Sequence, residues 1–193
     1  MADGRLKKEL QDVSKDIELS GVTAHLVKEG NFREWIGTIK GPEDSPYQGG
    51  YFDVEISIPA AYPFEPPKCR LITKTWHPNI SSVTGAICLD ILKDAWSPAL
   101  TVKTALLSIQ ALLSSAEPND PQDGEVAKQY LANRAEFDAK AKFWTEHHAM
   151  PAKAGEKEDR LTQMGFSLAD VKKALAASNG DEEAAVEKLL STF

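Results

Sequence analysis

Apolar residues change their spacing several times along this chain, and each change marks an element. Leu6, Leu10, Val13 and Ile17 recur at intervals of four, three and four, which puts them on one stripe of a helix. Arg5, Lys7, Lys8, Glu9, Asp12 and Lys15 fall largely off that stripe and read as a solvated face. Gly21 ends the helix, and short β-rich runs follow. VTAHLV and EWIGTIK flank the turn-rich EGNFR. In YFDVEISI, Phe52, Val54, Ile56 and Ile58 alternate with Asp53, Glu55 and Ser57, so one face is buried and the other wet. In CRLIT, Cys69, Leu71 and Thr73 share a face, which makes Cys69 a packed core thiol. Four short strands with short links predict an antiparallel meander. AYPFEPP, between the third and fourth, is too rich in proline for a central strand and predicts a rigid surface crossing.

From Trp76 to Ala99 the periodicity breaks down. WHPNISSVTGAICLDILKDAWSPA is a loop of about 24 residues, and loops that long are usually functional. Helical spacing resumes at Val102, Leu106, Ile109 and Leu113, with Thr101 as N-cap. The turn AEPNDPQDG leads to a short helix near Glu125 to Leu131. A last helix then carries Phe137, Ala141, Trp144 and His148 on one face. At Met150 the composition shifts. PAKAGEKED lacks large apolar residues and reads as a linker over 151–158. Three short helical patterns fill 159–193. The first holds Leu161 and Met164. The second is capped by Ser167 with Asp170 and carries Leu168, Val171, Ala174 and Leu175. Asn179 and Gly180 form a turn, and Asp181 caps a third helix with Ala185, Val186, Leu189 and Leu190. The organisation is a core over 1–150 and a three-helix mini-domain near the lower size limit for independent folding.

Composition narrows the function. The 193 residues carry a net charge of −7, which argues against gripping nucleic acid by bulk charge. No apolar run reaches the roughly 18 to 20 residues that span a bilayer, and MADGRLKKEL does not read as a secretory signal. Two cysteines, Cys69 and Cys88, are too few for a disulfide scaffold or a four-cysteine zinc site, so a reducing compartment is expected.

Cys88 lies in the long loop rather than on a strand face, which favours chemistry over packing. A protease-like thiol needs a histidine base. Of His25, His77, His147 and His148, His77 alone shares the loop, and it sits between Trp76 and Pro78. Without a base the thiol could still exchange acyl groups with an already activated donor. Asn79 is an amide that could donate to a developing oxyanion or serve as a turn residue after Pro78.

Tyr62-Pro63-Phe64-Glu65-Pro66-Pro67, His77-Pro78-Asn79, Ile87-Cys88-Leu89-Asp90 and Trp96-Ser97-Pro98, in this order and spacing, resemble the ubiquitin-conjugating enzyme family. The resemblance covers about Arg5 to Met150, including the turn Pro118 to Pro121. One departure is visible: Asn79 and Cys88 lie nine positions apart, one more than in some members. The tail, with Met164-Gly165-Phe166 and closing Leu189-Leu190, resembles a ubiquitin-associated domain.

The resemblance implies an α+β fold, a four-stranded antiparallel meander with flanking helices plus a C-terminal three-helix bundle. It implies that Cys88 takes ubiquitin from the activating enzyme as a thioester and passes it to a lysine amine, building proteasome-targeting chains. ATP is spent by the activating enzyme, so no cofactor or metal is expected. Asn79 matches the asparagine that stabilises the oxyanion or holds the loop, Asp120 the acidic residue facing the incoming lysine, and Asp90 another acidic neighbour of the thiol; His77 and Pro78 complete the structural motif. Phe64, Ser97, Pro98 and Ala99 match ligase-binding positions, and Arg5 and Lys8 match positions that contact the activating enzyme and some ligases. Met164, Gly165, Phe166, Leu189 and Leu190 would bind ubiquitin non-covalently. A monomer, cytoplasmic and also nuclear, with no nucleic-acid or membrane partner, is expected. Free lysine has a pKa of about 10.4, so about one amine in 2,500 is neutral at pH 7. A carboxylate would raise that pKa, so Asp120 is read as positioning the amine or accepting its proton. Two alternatives stay open. A non-catalytic ubiquitin-binding adaptor on the same fold is disfavoured by Cys88, and a conjugating enzyme for a ubiquitin-like modifier is disfavoured by the tail.

Overall fold

The computed structural model describes residues 2–14, 17–150, 154–178 and 181–190. The chain divides into two compact units, 1–150 and 151–193. Lys15 of the expected charged face and the expected Asn179–Gly180 turn lie outside the described residues.

The first unit is built on a four-stranded antiparallel meander in the order β1 (Val22–Leu26), β2 (Glu34–Lys40), β3 (Tyr51–Ser57) and β4 (Lys68–Leu71). Its register is set by the alternation read in the sequence. Phe52, Val54 and Ile56 of β3 are buried beside Trp35 and Ile39 of β2 and Val22 and Ala24 of β1. Against that face lies α3 (Val102–Ser114), capped by Thr101, whose side chain accepts from Thr104 N–H. Its buried stripe is Val102, Ala105, Leu106, Ile109, Leu112 and Leu113. Each large apolar side chain in such a stripe contributes about 1.5–3 kcal/mol on burial. Cys69, on β4, is half-buried, and burial pushes its thiol up to about 12.

The opening helix is shorter than its stripe predicts. α1 (Ala2–Val13) ends where Ser14 Oγ donates to Ala24 O of β1, and Ile17 begins a separate turn of helix, α2 (Ile17–Ser20), where it is only half-buried. Glu9 is not on a solvated face: it is 6% exposed. Its carboxylate accepts from Arg5 Nε (2.7 Å), from Tyr62 OH (2.7 and 2.9 Å) and from Val102 N–H (2.9 Å). One side chain thus ties α1, the proline-rich crossing and the start of α3 together.

After the turn come α4 (Gly124–Ala132), capped by Asp123, and α5 (Arg134–His148). On α5 the buried face is Phe137, Ala141 and Thr145; His148 is exposed, and Trp144 is half-buried with its ring 5.2 Å from that of Trp76. Intervals of four carry the buried stripe onto threonine, which is accommodated because Thr145 Oγ1 donates to Ala141 O.

The second unit holds α6 (Ala154–Gln163), α7 (Leu168–Ala177) and α8 (Glu182–Leu190). Residues 154–158, expected as linker, belong to α6, because an Ala/Glu/Lys run suits a helix once Leu161 anchors it in a core. That core is Leu161, Val171, Ala174, Ala185 and Leu189. The expected caps form: Ser167 accepts from Asp170 N–H, and Asp181 accepts from Ala184 N–H. Arg160 clamps Glu182 through two bonds of 2.9 and 2.7 Å, joining α6 to the start of α8. No helix among the described residues is long and apolar enough to cross a membrane.

Candidate active site

The loop from Trp76 to Ala99 is long but not irregular throughout. Ile80 bridges both His77 and Ile87, Ala86 bridges Arg70, and residues Asp90–Leu92 form a 3-10 turn. The two ends of the motif meet where Cys88 N–H donates to Asn79 O at 2.9 Å. The longer stretch between them folds over Gly85, whose φ of +74° and approach to Leu71 O leave no room for a side chain. Ser82 ties this stretch to the start of α4 by donating N–H and Oγ–H to Asp123 Oδ2. Burial would raise the Asp123 carboxyl, but the bonds from Ser82 and the helix N-terminus hold it below its ordinary value.

Each residue of His77-Pro78-Asn79 acts as a brace. The His77 ring accepts from Asn79 N–H through Nδ1 (3.0 Å), so its proton is on Nε2, which donates to Leu112 O of α3 (2.9 Å). Pro78 O accepts from both Gln122 N–H and Asp123 N–H at 2.9 Å. The Asn79 amide donates to Glu117 O and Asp120 O (2.9 and 3.0 Å), and its oxygen accepts from Glu117 N–H (2.8 Å). Both amide protons are therefore committed to holding the turn from Glu117 to Asp120 beside Cys88. Of the two roles read for Asn79, holding the loop is the one this geometry performs; donating to an oxyanion would require one of those bonds to open.

His77 is removed as a base by its surroundings. Burial pushes it down to about 4, against the bond to Leu112 O, which favours the charged form. The sign follows directly. The unfolded ring takes up a proton below about pH 6.5 and the folded ring resists until about pH 4, so stability is full above 6.5 and falls through that window. The loss amounts to about 3 kcal/mol from this group, at about 1.4 kcal/mol per unit. We expect the His77 ring to titrate with a midpoint near 4 in a proton NMR series on the folded chain; a midpoint above 6 would mean the ring is not sealed.

These braces present Cys88 on the wall of a cleft of about 570 Å³, lined by Asn79, Asp90, Ser108, Leu112, Glu117 and Asp120 among others. The half-buried Cys88 Sγ lies 4.0 Å from Asp120 Oδ2. Asp90 is exposed, and its Oδ1 accepts from Ile91 N–H within the 3-10 turn. Two further charged residues join the site without a motif to announce them: Lys93, whose Nζ lies 3.5 Å from Sγ, and the acidic Glu117. Spacing carries no signal for Lys93: the 3-10 turn folds the chain back and returns it to the thiol.

A family model described as ubiquitin-conjugating enzyme matches residues 5–145. The chain belongs to the ubiquitin-conjugating enzyme family. A UBA/TS-N domain model matches residues 159–189. The chain is 54% identical over 187 residues to ubiquitin-conjugating enzyme E2 27 of Arabidopsis thaliana, covering 97% of each. It is 51% identical over 193 residues to human ubiquitin-conjugating enzyme E2 K, covering 97% of this chain and 96% of the relative. Among solved structures, the E2 domain of a Toxoplasma gondii ubiquitin conjugating enzyme superposes with a TM-score of 0.72 at 54% identity, over 77% of this chain and 99% of that one. As a member of this family the protein is an acyl-transferring enzyme, with the α+β core and helical C-terminal bundle already described.

The enzyme's other predicted surfaces divide. Phe64, in the proline-rich crossing, is 80% exposed, and Ser97, Pro98 and Ala99, at the end of the long loop, are also exposed. The two loops are pinned together by Trp96 Nε1, which donates to Pro63 O (2.8 Å), and by the Tyr62–Trp96 ring contact. Lys8 is exposed. Arg5 turns inward to Glu9 and donates to Leu100 O (2.8 Å). In the tail, Met164 and Leu190 are 60% and 62% exposed and Phe166 is half-buried. Gly165 has φ of +99°, a value that favours glycine in the turn. Leu189 is a correction: at 4% exposed it belongs to the core of the bundle and offers no surface.

Proposed function

We propose that Cys88 is the acceptor thiol. It attacks the ubiquitin thioester of the activating enzyme, forming a new Sγ–C bond as the old S–C bond breaks and the departing thiolate takes a proton. A lysine amine then attacks the acyl carbon, Sγ leaves and the amine loses a proton. The observation that carries this reading is a half-buried thiol in an open cleft, held 4.0 Å from the Asp120 carboxylate by the His77-Pro78-Asn79 braces. Asp120 suits the second step, as a carboxylate at the mouth of the cleft that can orient an ammonium and accept its proton. The activating enzyme consumes the ATP, so this chain needs no cofactor. The exposed Phe64 and Ser97-Pro98-Ala99 suit a ligase contact, because an apolar ring on a braced loop is a ready anchor. Lys8 and neighbouring α1 suit the activating enzyme.

The tail reads as a weak ubiquitin holder. Met164 and Leu190 are exposed and Phe166 is half-buried, apolar surface of the kind that suits weak binding. Tethering to the catalytic unit gives it an effective concentration of up to roughly millimolar, enough to favour chain extension.

The test is a charging reaction with activating enzyme, ATP and either ubiquitin or a ubiquitin-like modifier, resolved on a non-reducing gel. Ubiquitin alone should give a shifted band that disappears on adding thiol. A band with the rival modifier only would replace this reading with the ubiquitin-like one, and no band with either would favour the adaptor.

A further inference from the structure

Resting on the assignment of Cys88, we propose that Lys93 is a catalytic residue whose ammonium pairs with the Cys88 sulfur as thiolate. Its Nζ lies 3.5 Å from Sγ, within reach of an N–H···S contact. The cleft around that sulfur is otherwise acidic. Asp120 Oδ2 is 4.0 Å away, and Asp90 and Glu117 line the same walls. A thiolate among three carboxylates is disfavoured by each of them. The thiolate is nonetheless the nucleophile required to take an acyl group from another thioester. An ammonium in contact with the sulfur offsets that rim at the atom where the negative charge forms. It acts without moving a proton of its own: the S–H proton leaves to Asp120 or water, and the sulfur carries the charge.

The arrangement is local. Lys93 is exposed at the end of the 3-10 turn, and its backbone N–H donates to Asp90 O, a contact independent of its side chain. Substitution there leaves the fold intact. A positive charge at this distance in a water-like medium favours a neighbouring negative charge by up to about tenfold.

The experiment measures alkylation of Cys88 in the full chain by iodoacetamide from pH 6 to 10, with peptide-resolved mass spectrometry to separate it from Cys69. Lys93→Met keeps the length and removes the charge, and Lys93→Arg keeps the charge. Lys93→Met should slow alkylation near pH 7 by up to about tenfold, with the difference from the parent shrinking as the pH rises toward 10. Lys93→Arg should follow the parent. Superimposed profiles for parent and Lys93→Met, or an Lys93→Arg profile that matches Lys93→Met, would overturn the proposal. The readout needs no ubiquitin, so its failure is separable from failure of the Cys88 assignment, which the charging reaction tests.

Discussion

Serine in place of Cys88 is expected to convert a thiol-labile ubiquitin adduct into a thiol-resistant one, and alanine to abolish the adduct. The thioester is labile because a thiolate is a good leaving group; the serine alkoxide is a poor one, so Cys88→Ser should accumulate an oxyester formed slowly and discharged more slowly still. Full loss of the thioester is the largest effect any single substitution here can have, since no other described side chain in the cleft carries a thiol. Cys69 is the internal control. Burial pushes its thiol up to about 12, so it has almost no thiolate at neutral pH, and Cys69→Ser should still charge. The check is a non-reducing and reducing gel pair on each variant, with folding followed by circular dichroism. A folded Cys69→Ser that cannot charge, beside a Cys88→Ser that gives an ordinary thiol-labile band, would sink the assignment.

Glu9→Ala should be among the most destabilising substitutions in the chain, although Glu9 lies 79 positions from Cys88 in sequence. Its carboxylate is the common acceptor for the Arg5 guanidinium, the Tyr62 hydroxyl and the Val102 N–H at the start of α3. Removing it leaves three donors without that partner, two of them in a buried setting. Orphaned buried donors cost about 1–3 kcal/mol each, and breaking a buried charge pair about 3–5 kcal/mol. Since Arg5 keeps Leu100 O and partial access to water, the net loss should be about 3 kcal/mol. Glu9→Gln retains an acceptor and should lose about half as much. Urea unfolding monitored by tryptophan fluorescence measures both. The consequence for function follows from what the carboxylate joins: α1, the crossing that carries Phe64 and the segment after Ala99 are all held by it. Charging and ligase-dependent transfer should therefore weaken together in Glu9→Ala even where Cys88 alkylates normally. Stability within about 0.5 kcal/mol of the parent would show that the brace is not what holds these segments.

The chain's periodicities were sufficient for the strands, for α3 with its Thr101 cap and for the caps at Ser167 and Asp181, because alternation, helical spacing and capping are decided by neighbours a few residues apart. The motif around Cys88 was also legible, since its residue types and order are local. Glu9 shows where local reading stops. It falls three residues after Leu6 and one before Leu10, on the apolar stripe itself, yet its charge made it look solvated; only the arrival of Tyr62 and Val102 from distant segments makes a buried carboxylate tolerable there. Leu189 and Leu190 are alike in sequence and opposite in fate, because the packing of α8 on Leu161 and Val171 selects which one faces the core. The same holds at the active site. Residue order alone places a cysteine in a long loop after His-Pro-Asn. Tertiary structure decided that His77 is sealed and cannot be a base, that the Asn79 amide is spent on the Glu117–Asp120 turn, and that Lys93 meets the thiol. Each depends on which groups meet in space: burial sets whether a ring can hold a proton, and a hydrogen-bond donor can serve only the acceptors the fold brings to it.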